Sequence, residues 1–252
     1  MIKNSIIRNN FFLKRPSLKN VNAVNNQITK SFKSIDNNKD VLNIFSENFE
    51  LNLNKNELKR FKKFKNIAII GMGGSSLGTK AIFSFLEDKI KKNLFFLDNL
   101  NLTELQNFEK KLDIKVTLFI IISKSGNTLE TLVNANFLKN KISKKNSIII
   151  SERNNNLLKL FADKCNIYFI EHKNYIGGRY SVLSEVGMVP AYLMNLNIKL
   201  FRQNLLKLFT SEKKKILINS VAQLKEIYRL KKINSIILDR KSTRLNSSHV
   251  RT

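Results

Sequence analysis

Apolar residues along this chain follow two rhythms. Between Asn66 and Phe169, short runs of β-branched and aliphatic residues recur at 67–70, 94–97, 118–122, 148–150 and 167–169. Longer stretches with helical spacing separate them, at 77–86, 102–112, 128–138 and 157–162. Near-continuous apolar strands alternating with helices predict an α/β fold, a doubly wound parallel sheet flanked by helices in three α/β/α layers. Residues 1–60 read as a polar N-terminal segment with short helical patterns, for instance over 44–53, then 61–183 as the sheet domain and 184–240 as a helical extension. In that extension Leu217, Val221, Leu224 and Tyr228 share one helical face and are expected to pack.

Composition narrows the class. A chain of 252 residues that is 42% hydrophobic is too apolar for a disordered tail and long enough for a sizeable core. A single Cys165 and two histidines, His172 and His249, argue against a disulfide scaffold or structural zinc. Apolar runs such as 118–122 fall far short of the roughly 18 residues a membrane span requires, so the chain is expected to be soluble. The net charge of +26 raises the question of nucleic acid. The bases are scattered as Lys62-Lys63, Lys91-Lys92, Lys144-Lys145 and Lys213–Lys215, with no aromatic and basic motif beside them, and read as a solvated surface. Residues 1–19 are basic and free of acid, yet lack the apolar block of a signal sequence, and read as part of the mature chain.

Ligands of doubly wound sheets bind beyond the carboxyl ends of the strands, which directs attention to the loops after 70 and 122. The first is Gly71-Met72-Gly73-Gly74-Ser75-Ser76-Leu77-Gly78-Thr79. Its glycines let backbone N–H groups approach an anion, a following helix adds positive potential, and Ser75 and Ser76 offer hydroxyls. It is not a Walker A loop, because Thr79 precedes Lys80, nor a dinucleotide fingerprint, because Ser76 stands where the third Gly belongs. The second loop is Ser123-Lys124-Ser125-Gly126-Asn127-Thr128. Asn127 and Glu130 have the outline of a capping box, so a helix is expected to start near Thr128 and aim its free amides at the loop. Ser123, Ser125 and Thr128 then surround one anion with hydroxyls, and Lys124 adds either charge or a salt bridge to the scaffold. Three hydroxyls suit a phosphomonoester. In a third segment, 176–184, Arg179 follows Gly177-Gly178, a placement that can present a guanidinium to an oxyanion or leave a surface base.

Together GMGGSSLG at 71–78, ISKSGNTLET at 122–131 and GGRYSVLSEVG at 177–187 resemble the signatures of the glucose-6-phosphate isomerase family. The second also resembles the phosphosugar motif of sugar-isomerase (SIS) domains. The resemblance runs from about Asn66 to about Asp239 and implies an SIS-type sheet. It implies that Ser123, Lys124, Ser125 and Thr128 hold the sugar phosphate, that Gly74 and Ser75 lie at the sugar end, and that Gly178 and Arg179 sit by C1 and C2, Arg179 stabilising an enediolate. The implied reaction interconverts glucose 6-phosphate and fructose 6-phosphate through a cis-enediol, in glycolysis and gluconeogenesis. It calls for sugar phosphates as partners, no cofactor or metal, no specific nucleic acid and no membrane, in a cytoplasmic enzyme that is a homodimer at full length.

The sequence also departs from the family. No segment matches the family's base glutamate, ring-opening histidine or C-terminal lysine. The chain is therefore expected to be a truncated isomerase, inactive alone, with residues 241–252 foreign to the family. The alternative is a non-catalytic SIS-type sugar-phosphate regulator. Glu185 stands where many relatives have Pro and is not expected to act as the base, and His172 is expected to be a loop or surface histidine.

Overall fold

The computed structural model describes residues 16–36, 40–209, 211–229, 236–237 and 249–250. Helix α1 (Leu18–Lys33) is followed by a 3₁₀ turn at Val41–Phe45 and by α2 (Lys55–Lys59). The central alternation is β1 (Asn66–Ile70), α3 (Gly74–Phe85), β2 (Asn93–Leu97), α4 (Leu102–Lys111), β3 (Thr117–Ile122), α5 (Leu129–Phe137), β4 (Ser147–Ser151), α6 (Leu157–Lys164) and β5 (Tyr168–Glu171). A 3₁₀ turn at Gly178–Leu183 leads to α7 (Glu185–Leu193), α8 (Ile198–Arg202), α9 (Ser211–Arg229) and the two-residue strands β6 (Ile236–Ile237) and β7 (His249–Val250).

Contacts divide the chain into a unit over 36–203 and a second unit formed by 1–35 with 204–252. In the first, five strands pair in the order β2-β1-β3-β4-β5, all parallel. Strand residues alternate cleanly between two apolar layers, as the period of two requires. Ile67, Ile69, Leu118, Ile120, Ile122, Ile148 and Ile150 face a layer that includes Ile82 of α3 and Val186, Met188 and Val189 of α7. Ala68, Ile70, Phe119, Ile121 and Ile149 face Leu105 and Phe108 of α4, Ala135 of α5, and Leu158 and Ala162 of α6. Burial on both faces explains why β3 reads as an unbroken apolar run. This is the doubly wound α/β class that the pattern predicts. Strand β5 begins at Tyr168 rather than 167, because Asn166 takes a left-handed turn at φ 51° to end α6 and Ile167 is spent re-entering the sheet.

Helix α7 is buried on nearly all sides and contains Pro190. A proline there leaves the carbonyl four residues earlier without its helical donor. That carbonyl, on Val186, accepts instead from the Thr79 hydroxyl at 3.3 Å, which joins α7 to α3.

Two expectations are corrected. Residues 44–53 do not form a helix: Asp40 caps only the short 3₁₀ turn, and the Ser46 hydroxyl then bonds the Asp36 carboxylate and the Asn48 amide while Ile44 and Phe49 anchor the segment beside Ile176. In the second unit α1 and α9 pack through Val24, Ile218 and Ala222. The face of α9 that is buried therefore lies one residue round from the expected stripe, and Leu217, Val221 and Tyr228 are exposed. Residues 1–15, and 241–252 apart from β7, lie outside the described residues, and with them the readings made of both termini. Among the described residues no helix is long and apolar enough to cross a membrane.

Ile120 is wholly enclosed at the centre of β3. Replacing it with alanine is expected to cost about 2–5 kcal/mol of stability, read as a lowered urea midpoint with an unchanged slope.

Candidate functional site

The strand order reverses between β1 and β3, and the chain leaves these neighbours for opposite faces, β1 into α3 and β3 into α5. Divergence of that kind opens a crevice at the carboxyl end of the sheet. The loops lining it are two of the three picked out by sequence.

In the first loop Gly73 adopts φ 52° and α3 begins at Gly74, three residues before the apolar pattern. The early start has a packing cause. A Cβ on Gly74 would stand 2.2 Å from the Gly178 carbonyl oxygen, and one on Gly78 3.1 Å from Val182, so the first turn of α3 lies flat against the third segment. Ser75 is half-buried in that turn. Ser76 is not available as an anion donor, contrary to expectation: it is buried, with its hydroxyl 3.4 Å from the Gly73 carbonyl and 3.4 Å from Asp98. Asp98 also holds Lys80 at 3.1 Å.

In the second loop the capping box does not form. Asn127 turns away and accepts from the Leu157 amide at 3.0 Å, while Thr128 takes the N-cap position of α5 with no side-chain bond to the helix amides. The Thr128 hydroxyl instead lies 2.8 Å from that of Ser123. Ser123 is buried and also accepts from the Gly126 amide at 3.2 Å, whereas Ser125 is exposed and accepts from the Asn127 amide at 3.3 Å. Gly126 sits at φ 69° with its missing Cβ overlapping the Asn156 side chain, so no other residue fits there. Of the two roles open to Lys124, the structure realises the scaffold one: its ammonium lies 3.5 Å from Glu152, and its carbonyl accepts from the Glu152 amide and the Ser151 hydroxyl.

In the third segment the Ser181 hydroxyl lies 2.7 Å from the Gly178 carbonyl and 3.3 Å from that of Gly74, while Arg179 is exposed at the head of the turn. The expected residues thus form two groups, Gly74 and Ser75 with Gly178 and Arg179, and Ser123, Lys124, Ser125 and Thr128. They meet at the roots of the loops, where a Cβ on Gly71 would stand 2.7 Å from the Ile122 carbonyl.

A family model described as phosphoglucose isomerase matches residues 14–208. The chain belongs to the phosphoglucose isomerase family. It is 35% identical over 187 residues to a glucose-6-phosphate isomerase of Methanocaldococcus jannaschii, covering 72% of this chain and 45% of that protein. It is 43% identical over 140 residues to the glucose-6-phosphate isomerase of Borrelia garinii, covering 50% of this chain and 26% of that protein. The chain therefore spans less than half the length of either relative. Among solved structures, a hypothetical protein of Thermus thermophilus aligns with a TM-score of 0.64 at 18% identity over 83% of this chain and 53% of that one. A glucose-6-phosphate isomerase of Chlamydia trachomatis aligns at 0.56 and 21% identity over 73% of this chain and 44% of that one. At those identities the likeness speaks for the fold.

Sequence reasoning misplaced His172 and missed the surroundings of Glu185. His172 is a core residue rather than a surface one, 1% exposed, with Nε2 3.0 Å from the Ile176 carbonyl. Glu185 is fully buried and accepts from the Asn52 amide at 2.8 Å and from Lys173 at 3.5 Å. Burial pushes its carboxyl up, but His172, the Asn52 amide, its own amide and Lys173 together outweigh burial and hold it below the ordinary carboxylate value. A charged residue beside an apolar helix start could have signalled that partners must exist, though not which ones.

A carboxyl whose folded pKa is depressed contributes stability that is present above its unfolded value and lost as pH falls through the folded one. Glu185→Gln is accordingly expected to flatten the acid limb of a melting-temperature profile below about pH 4, and an acid limb superimposable on that of the native chain would contradict the assignment.

Proposed function

We propose that this chain is the phosphosugar-binding portion of a glucose-6-phosphate isomerase, which as a whole protein interconverts glucose 6-phosphate and fructose 6-phosphate through a cis-enediol. On this reading Ser123, Ser125, Thr128 and the first-turn amides of α5 hold the phosphate, and Lys124 braces their loop from behind. Gly74 and Ser75 lie at the sugar end, and Gly178 and Arg179 lie by C1 and C2, where the guanidinium meets the enediolate oxygens. Binding the phosphate, which does not react, positions the carbons that do. The chemistry needs no redox cofactor or metal, and the full-length enzyme is a cytoplasmic homodimer.

The observation that carries this reading is the start of α5. Thr128 pairs with Ser123 instead of capping the helix, so its hydroxyl leaves the amides of the first turn of α5 without a side-chain cap, next to the point where β1 and β3 diverge. Those amides and hydroxyls suit a phosphate dianion.

We further infer that the 252-residue chain alone is inactive. Asp98 is tied to Lys80, Glu152 to Lys124, and Glu185 is buried, so none of these three is free to act as a base on a sugar. Selective binding without turnover by the full-length natural protein would instead favour the non-catalytic regulator.

Titration calorimetry with fructose 6-phosphate tests the site. Ser125→Ala and Thr128→Val are each expected to weaken binding by about 1.5–3 kcal/mol, as for hydrogen bonds to a charged group, and unaltered affinity in both would refute the phosphate assignment. In a coupled isomerase assay the chain alone is expected to show no turnover above background, and kcat in the ordinary range of about 1–10³ s⁻¹ would overturn its inactivity.

A further inference from the structure

The segment that carries Arg179 leaves the end of β5 through His172 and enters α7 at Glu185, and both of its ends meet one imidazole. His172 Nε2 lies 3.0 Å from the carbonyl of Ile176, just ahead of the Gly177-Gly178 turn. Nδ1 lies 3.9 Å from Glu185 Oε2, just past the end of that turn. Between these points the turn is internally stiff, with the Ser181 hydroxyl on Gly178 and the Ser184 hydroxyl 2.7 Å from the Ser181 carbonyl. Fixing its ends therefore fixes the backbone that aims Arg179.

Proton counting sharpens the picture. A carbonyl oxygen accepts and does not donate, so Nε2 carries a proton. His172 Nδ1 and Glu185 Oε2 are both buried and have no hydrogen-bond partner. With a neutral ring and an ionised carboxylate, two lone pairs would face each other out of contact with water, an arrangement that costs free energy on both sides. One additional proton between them removes the conflict. The other carboxylate oxygen, Oε1, is already engaged by the Asn52 amide and by Lys173.

We propose that His172 and Glu185 are positioning residues for Arg179, with His172 an imidazolium whose Nε2 holds the Ile176 carbonyl and whose Nδ1 faces the Glu185 carboxylate across 3.9 Å, so that a single buried ring ties both ends of the turn. The consequence for ligand binding rests on the sugar-phosphate reading of Arg179 given above, whereas the charge pairing does not.

Other charged and titratable groups surround the pair. Lys173 lies on the same loop, and Arg202 of α8 donates to the carbonyls of Leu183, Ile44 and Ser46. Tyr175 feels both Glu185 and Asp40. Lys173 and Arg202 thus stand as further positive charges beside the Glu185 carboxylate.

The test uses the full chain labelled with ¹⁵N-histidine. Two ring systems are visible, and His249→Gln assigns them. Native His172 is expected to carry protons on both ring nitrogens at about pH 6. In Glu185→Gln, whose amide can donate to Nδ1, only Nε2 is expected to be protonated at that pH. A native ring with a bare Nδ1 at about pH 6 overturns the charge pairing.

Calorimetry then separates positioning from general stability. Glu185→Ala is expected to weaken fructose 6-phosphate by about tenfold or more while leaving inorganic phosphate unmoved, and Glu185→Gln to recover most of the loss. Equal losses for both ligands, or none, overturn the positioning role. Should Glu185→Ala not fold, the same ratio is read in Glu185→Asp, whose shorter side chain withdraws the carboxylate from Nδ1. It is expected to fall in that variant, and an unchanged ratio overturns the role. If the native chain binds no sugar phosphate, the phosphate-site reading fails by itself. The ring spectra then decide the protonation, and hydrogen exchange at the Tyr180 and Ser184 amides decides the grip: equal rates in native chain and Glu185→Asp would dismiss it.

Discussion

The backbone of Gly74 lies so close to the carbonyl of Gly178 that no side chain fits between them. The rest of the site depends on this contact. It brings the first turn of α3 against the 3₁₀ turn carrying Arg179, and Val182 against Gly78 extends the same seam. Behind it, the Val186 carbonyl that Pro190 leaves without a helical donor takes its hydrogen bond from Thr79, so α3 and α7 are tied by a side chain where the helix itself lacks a donor. Two segments about a hundred residues apart in sequence are thereby made one rigid wall of the crevice.

The opposite wall works differently. Lys80 and Lys124, the lysines nearest the two loops, are both committed to carboxylates. Despite the large positive charge of the chain, the loop after β3 presents dipoles, namely hydroxyls and the amides at the start of α5, rather than free ammonium groups. Fixed dipoles hold an anion in a defined orientation, which a flexible lysine does not.

Much of the framework is legible in the chain because strands buried on both faces leave continuous apolar runs, and β1 to β4 fall where those runs are. The loops are legible for a similar reason, since close backbone approach leaves glycine as its mark. What the sequence did not disclose was partner choice. Asn127 and Glu130 satisfy the local rule for a capping box, yet the Leu157 amide wins the Asn127 side chain because Gly126 is packed on Asn156 at the neighbouring helix start. The apolar stripe on α9 obeys helical spacing, but α1 meets the adjacent face. His172 has no periodic context at all, and its burial follows from contacts with Ile176 and Glu185 that only the folded chain provides.

All eight glycines of the chain lie in the three loop segments or the helix turns next to them. Elsewhere among the described residues, left-handed turns fall to asparagine, at 166, 195 and 204. Four of the glycines, Gly71, Gly74, Gly126 and Gly187, stand where a carbonyl or a neighbouring side chain already occupies the volume that a Cβ would need. Asparagine can adopt an unusual dihedral, but it cannot give up its Cβ. At these four positions the neighbour, and not the turn alone, dictates the residue.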